Sequence, residues 1–302
     1  MTGMGAGVVS IVIPVHNEGA RLRQTLEAIA ATADAPYEII VVDDVSTDGC
    51  CDFLVTAPQP FCHTRLTRLR TQAGVSGARN AGAALAAGSM LLFLDGHCDP
   101  AGRWLSCCVD TLRKLGRGIV SPCITTMDEP VGRGYGMNMR FPDLAAYWLP
   151  KQMDAPHPVP FAGGCGMFMD RTWFQTIGGF DSMRIYGLED LEISLRTWLL
   201  GGRVYVVPRA EVSHYFRTQA TCSITWSRYI YNALRFALLH LDGTVLDNVL
   251  SYWRAHPDFQ EAWTQVEASD IYERRNRLRS VRMFDFDWFR TKFSLELPEG
   301  AG

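Results

Sequence analysis

Met90-Leu-Leu-Phe-Leu-Asp-Gly-His97 sets five apolar residues directly before a carboxylate, a glycine and an imidazole. An apolar run of that length reads as a strand buried on both faces, and the polar triplet starts where the strand stops. The same design recurs upstream. Val8-Val-Ser-Ile-Val-Ile-Pro14 is a β-branched run closed by proline, and Tyr37-Glu-Ile-Ile-Val-Val42 stops at Asp43-Asp44. A weaker strand is expected around Arg65 to Arg70. Between these runs, Glu18 to Ala31 places Leu22, Leu26, Ile29 and Ala30 at helical spacing, and alanine-rich Ser76 to Ala87 is a second helix with Gly88 as its C-cap. Ser46-Thr47-Asp48-Gly49 supplies turn and cap chemistry. Strands alternating with helices predict an α/β fold with a doubly wound, mostly parallel, Rossmann-like sheet. Ligands of such sheets bind beyond the carboxyl ends of the strands, where Asp43, Asp44, Asp95 and His97 all stand.

The pattern changes after residue 100. Gly116 to Ile124 is a candidate strand, and Met127 to Pro160 is rich in Gly, Pro, Met and aromatics without clear periodicity. That stretch is expected to be mostly loop with a hairpin, lining a groove. Phe161-Ala-Gly-Gly-Cys-Gly-Met-Phe-Met169 leads into an apolar strand, Leu188 to Leu200 is a helix ended by Gly201-Gly202, and Arg203-Val-Tyr-Val-Val-Pro208 is a strand reaching His214. From about Thr225 the chain is helical and aromatic. Residues 1–240 are expected to form the catalytic domain. Residues 241–302, with Trp253, Trp263, Phe284, Phe286, Trp288 and Phe289, form a helical extension that packs on it or makes a homodimer contact.

Composition narrows the partners. The net charge of −3 gives no reason to expect a nucleic-acid partner, and the longest apolar runs fall far short of the ~20 residues that cross a bilayer. The N-terminus shows no basic segment followed by an apolar one, so no secretory signal is expected. Nine cysteines include no CxxC pair, so the expectation is reduced, mostly buried thiols in a cytoplasmic protein.

Several residue groups carry chemistry. In an extended segment, positions i and i+2 point the same way, so Asp95 and His97 can share one divalent ion, with Mn²⁺ the best match for mixed O and N ligands and Mg²⁺ the alternative. Taken alone, Asp-x-His is a weak signal and reads first as a helix cap followed by a loop histidine. Asp43 or Asp44 can accept from a base imide or bind ribose hydroxyls, or cap into Ser46-Thr47. Arg79 can meet a base or phosphate, or be a solvated helix residue. Ala162-Gly163-Gly164 lets backbone approach a ligand closely, or simply turns the chain. Glu189-Asp190 opens a helix, where acids are favoured in any protein, yet either could serve as a general base. His214 closes a strand and could complete a metal site.

The order of these groups resembles family 2 glycosyltransferases: Ile11-Val-Ile-Pro-Val-His-Asn-Glu18, Val41-Val-Asp-Asp44, Ala78-Arg-Asn-Ala-Gly82 and Phe93-Leu-Asp-Gly-His97. More narrowly, Leu94-Asp-Gly-His-Cys98, Ala162-Gly-Gly164, Tyr186-Gly-Leu-Glu-Asp-Leu-Glu-Ile-Ser-Leu-Arg-Thr-Trp198 and Val212-Ser-His-Tyr-Phe-Arg217 are similar to the polypeptide N-acetylgalactosaminyltransferases. The resemblance implies a GT-A fold and a UDP-sugar donor. It implies a manganese site of Asp95, His97 and His214, and donor contacts from Pro14, His16, Glu18, Asp43, Asp44, Arg79, Asp95, Gly96, Gly163 and Gly164. Glu189 would meet sugar or acceptor.

One departure bears on mechanism. Glu189-Asp190 stands where the polypeptide enzymes carry Glu-Asn. The Glu-Asp form belongs to inverting family 2 enzymes, with the aspartate as base, so inversion with Asp190 is expected narrowly over retention. The acceptor is a peptide Ser, Thr or Cys by the narrower resemblance, and a saccharide or small natural product by the broader one. Two rivals are weaker. A nucleotidyltransferase needs a glycine-rich basic loop where this chain has Pro14-Val-His-Asn-Glu18, and a non-catalytic sugar-nucleotide sensor has no need of the acids that are all present.

Overall fold

The computed structural model describes residues 7–56, 59–61, 63–127, 132–217 and 225–297. The first half reads β1 (Val9–Val15), α1 (Arg21–Thr32), β2 (Tyr37–Asp43), α2 (Phe53–Thr56), β3 (Thr64–Arg68), α3 (Gly74–Leu85), β4 (Met90–Phe93), β5 (Cys98–Ala101) and α4 (Trp104–Leu115). Then come β6 (Gly118–Thr126), β7 (Arg133–Gly134), β8 (Met137–Met139), β9 (Ala146–Trp148), β10 (His157–Pro158) and β11 (Met167–Asp170). Next are α5 (Arg171–Ile177), α6 (Glu189–Leu199) and β12 (Arg203–His214). Five helices follow: α7 (Trp226–His240), α8 (Gly243–Arg254), α9 (Phe259–Glu267), α10 (Ile271–Val281) and α11 (Phe286–Phe293).

The main sheet runs β10-β12-β6-β11-β4-β1-β2-β3. It is mostly parallel, with β11 inserted antiparallel between β4 and β6. Side chains of β1 alternate between two cores, as the pleat requires. Ile11, Ile13 and Val15 join Leu22, Leu26 and Ile29 of α1 and Trp104 and Leu105 of α4 on one face. Val12 points to the other face, with Ala78 of α3, Leu195 of α6 and Phe236 of α7. Each such aliphatic side chain buried contributes about 1.5–3 kcal/mol. That double coverage is why the strands are apolar throughout.

Residues 241–297 pack into the second of these cores. Phe289 meets Phe161 with ring centroids 5.4 Å apart, Phe286 meets Phe141 at 5.6 Å, and Val249, Ala262 and Val266 are fully buried. Arg235 of α7 is fully buried and pairs with Asp181 and, at 2.7 Å, with Asp270 before α10. No helix among the described residues is long and apolar enough to cross a membrane.

Some local expectations needed correction. The alanine-rich helix ends at Leu85 with Ala86 as its cap, so Gly88 is not the C-cap. Gly88 instead passes β1 so closely that a Cβ would lie 2.5 Å from the Val8 carbonyl oxygen. The glycine- and aromatic-rich stretch holds more strand than expected: β8 and β9 form the hairpin, β7 pairs with β6 and β10 with β12. Residues 128–131 of that stretch lie outside the described residues. The seven described cysteines are free, six of them buried.

Candidate active site

A cleft of about 510 Å³ opens at the carboxyl ends of β1, β2 and β4. Its floor is built by two chain segments. Asp95 and His97 follow β4, and His214 ends β12, whose antiparallel pairing with β5 sets His214 opposite Cys98. Tyr215 donates its backbone N–H to the His97 carbonyl (3.1 Å), locking the two histidine segments together. Ligand atoms of Asp95, His97 and His214 consequently lie within 4.8 Å of one another. The His97 and His214 rings sit 4.7 Å apart, and His214 Nε2 lies 3.3 Å from Asp95 Oδ2.

Arg79, 1% exposed, reaches this floor from α3. Its guanidinium donates to Asp95 Oδ1 (3.0 Å), to the Gly164 carbonyl (2.8 Å) and to Glu189 Oε1 (3.4 Å). Burial works against ionising Asp95. The His214 hydrogen bond and the Arg79 charge overcome it and hold the carboxyl well below the usual carboxylate range. A carboxylate that is ionised at any working pH beside two imidazoles is a donor set suited to Mn²⁺. Among the described residues, the buried His214 Nδ1 has no hydrogen-bond partner.

Glu189 and Asp190 open α6 on the facing wall, held by the left-handed Leu188 (φ 69°) and by Gly187 (φ 106°). Glu189 is turned inward, accepting from Gly187 N–H (2.8 Å) as well as from Arg79. Asp190, half-buried, accepts from Gly164 N–H (3.2 Å) and Leu191 N–H (2.9 Å). Burial and then the Glu189 charge push its carboxyl up to about 7. A carboxylate titrating near neutrality and facing a cleft suits proton transfer.

Of the expected donor contacts, Pro14, His16, Glu18, Asp44, Arg79, Asp95 and Gly164 line the cleft. Asp43 does not: its carboxylate caps the Ser46 N–H (2.8 Å) and pairs with Arg68 (3.3 Å). No helix starts at Ser46, so Asp43 closes a turn there rather than capping a helix. Asp44 caps something else, accepting from the N–H groups of Ala73 (2.7 Å) and Gly74 (2.9 Å) at the start of α3. Gly96 and Gly163 also lie off the lining, and both glycines make room for others. A Cβ on Gly96 would come within 3.1 Å of Glu18, and one on Gly163 within 2.6 Å of the Trp148 ring. Gln72, Trp148, Tyr186 and Tyr229, none of them expected as donor contacts, also line the cleft. Tyr186 carried a signal as the first residue of the motif running to Trp198, and Trp148 as an aromatic in the stretch expected to line a groove. With Tyr147 and Phe216 it makes an aromatic wall (Trp148 to Phe216, 6.3 Å).

Comparison with known proteins agrees with this architecture. Residues 10–178 match the family model described as "Glycosyl transferase family 2", and residues 105–288 match "Glycosyl transferase family group 2". Polypeptide N-acetylgalactosaminyltransferase 10 of Homo sapiens is 28% identical over 315 residues, covering 96% of this chain and 50% of that protein. Polypeptide N-acetylgalactosaminyltransferase 8 of Drosophila melanogaster is 34% identical over 229 residues, 69% of this chain and 38% of that one. The chain spans about half the length of the curated relatives it matches. Among solved structures, GalNAc-T7 with UDP, GalNAc and Mn²⁺ superposes with a TM-score of 0.78 at 22% identity, covering 95% of this chain and 56% of that one. S. aureus TarS 1-349 with UDP-GlcNAc gives 0.60 at 16% identity, covering 91% and 84%.

Proposed function

Because the chain belongs to glycosyl transferase family 2 and has its GT-A architecture, we propose that it moves a hexose or N-acetylhexosamine from a UDP-sugar to a hydroxyl or thiol acceptor. The observation that carries this reading is the meeting of Asp95, His97 and His214 at one point of the cleft floor. The donor assignment is supported by the GalNAc-T7 and TarS structures, which hold UDP with GalNAc and UDP-GlcNAc respectively.

Asp95, His97 and His214 would hold Mn²⁺, which when bound offsets the charge that grows on a departing diphosphate. The protein's own groups do the rest. Arg79 keeps Asp95 ionised and orients it, and the same guanidinium holds Glu189 in place. Asp190 takes the acceptor's proton as the new glycosidic bond forms, which favours inversion at the anomeric carbon. Asp44, His16 and Pro14 form the end of the cleft assigned to uridine, and the Tyr147–Trp148–Phe216 wall the end assigned to the acceptor. A peptide side chain as acceptor is supported by the names of the curated relatives. On this reading residues 1–240 are the catalytic unit, and 241–302 an extension that braces it.

The test is UDP release from a panel of UDP-sugars with Mn²⁺, followed by mass spectrometry of peptide, saccharide and small-molecule acceptors. Release that EDTA stops and Mn²⁺ restores is expected. Turnover indifferent to EDTA would sink the metal assignment, and anomeric assignment of the product by NMR decides between inversion and retention.

A further inference from the structure

Glu18 lines the cleft, yet its carboxylate is spent on the protein rather than left facing a ligand. Its Oε2 lies 2.9 Å from His97 Nδ1 and also accepts from Arg217 Nη2, and its side chain is only 6% exposed. Arg217 Nη2 in turn stands 3.2 Å from the same His97 Nδ1. That nitrogen cannot serve both neighbours. A guanidinium only donates and a carboxylate only accepts, so His97 Nδ1 either carries a proton and gives it to Glu18 or is bare and accepts from Arg217. In the first state the neutral ring keeps its lone pair on Nε2. In the second the ring proton sits on Nε2, which is then useless as a ligand. The first state also satisfies Glu18 twice, because Arg217 donates to it as well, whereas the second removes one donor from a buried carboxylate.

The surroundings are built to keep Glu18 there. Asn17, directly before it, adopts a positive φ (55°), a shape a residue with a side chain seldom takes, while Gly19 after it (φ 56°) takes the same shape at no steric cost. The loop after β2 imposes it: Ser46 Oγ accepts from Asn17 N–H (3.1 Å), Asn17 Oδ1 from Thr47 N–H (2.8 Å), and Asp48 Oδ2 from Gly19 N–H (2.8 Å). Gly96, between the two ligand residues, has no Cβ to push against the Glu18 stem 3.1 Å away. Arg217 comes three residues after His214, so one carboxylate braces both histidine-bearing segments.

We propose that Glu18 is a positioning residue for the cation site, holding His97 as the Nδ1–H tautomer and, through Arg217, fixing the strand end that carries His214. This rests on the reading of Asp95, His97 and His214 as metal ligands. Outer partners of this kind typically alter metal affinity by about 10–100-fold.

Two measurements test it. In metal-free protein labelled with ¹⁵N-histidine, His97 is expected as the Nδ1–H tautomer, a result that needs no variant of Glu18; an Nε2–H tautomer there overturns the proposal. With UDP saturating, free Mn²⁺ counted by EPR should show affinity lowered about 10–100-fold in Glu18→Ala and less in Glu18→Gln, whose amide oxygen still accepts, with unfolding midpoints measured alongside. Wild-type Mn²⁺ affinity in a folded Glu18→Ala overturns the proposal and leaves the ligand assignment standing. Failure of the unmodified protein to bind Mn²⁺ at all overturns the ligand assignment, and the proposal with it.

Discussion

Of the three acidic groups on helix α6, Asp190 and Glu192 stand less than one turn apart, and the fold treats them in opposite ways. Glu192 points into the core, where both its oxygens are taken: Arg196 reaches them at 2.9 and 2.7 Å and His240 Nε2 at 3.0 Å. The same guanidinium ties off the Ile177 and Gly179 carbonyls. Burial opposes ionisation of Glu192, but Arg196 and His240 hold its carboxyl well below the usual range. Asp190 faces the cleft with two backbone N–H partners and a like charge next door, and its carboxyl is driven upward instead. A sealed network with its lone pairs filled organises structure. An acid left short of counter-charge at a cleft is available for chemistry.

That contrast is open to measurement. The largest effect should come from the sealed side: Glu192→Ala leaves Arg196 without its carboxylate and should cost about 3–5 kcal/mol in denaturant unfolding. A loss below about 1 kcal/mol would mean the network is dispensable. Asp190→Asn on the open side should instead cut turnover by roughly 10²-fold or more with little change in unfolding, and near-normal turnover would end its assignment as base.

The next contrast is in pH. With Asp190 as base, kcat/KM should climb about tenfold per pH unit below about 7 and level off above it, a limb that Asp190→Asn should lack. Stability has the reverse dependence. Asp190 holds its proton more tightly folded than unfolded, so its contribution is present at low pH and is lost as pH rises through about 7. The Tm of the metal-free protein, relative to Asp190→Asn, should therefore fall between pH 5 and pH 8.

The smallest expected effect is that of Gly164→Ala, whose Cβ would stand 3.1 Å from the Arg79 guanidinium and 3.3 Å from the Asp190 Cβ. Both groups must give by a few tenths of an ångström, at about 1 kcal/mol or roughly fivefold in turnover. A fully active variant would show that the spacing between Arg79 and Asp190 is not tuned.

How much of this was legible beforehand varies residue by residue. Asp95 and His97 stood out because they follow a buried strand, and strand ends in a doubly wound sheet face the ligand side. Asp190 stands at a helix start, where acids are ordinary, and only the resemblance favoured it as a base. His214 stood out by the strand-end rule at the far end of β12, although only the resemblance made it a ligand. Asp43 and Asp44 show the limit. Adjacent residues at a strand end look identical in sequence, and what separates them is Arg68 beside one and the start of α3 beside the other. The insertion of β11 against the direction of its neighbours was equally hidden, since strand polarity leaves no trace in an apolar run.

The amino-acid order alone therefore determined the alternation of strands and helices and the places where charged residues interrupt it, because periodicity and breaks in it are local properties of the chain. Only the tertiary structure decided what those residues touch. Glu18 meets a histidine 79 positions away and an arginine 199 positions away, and Arg79 meets a glutamate 110 positions away. Contacts at such separations arise from the packing of whole elements, and no nearby residue records them.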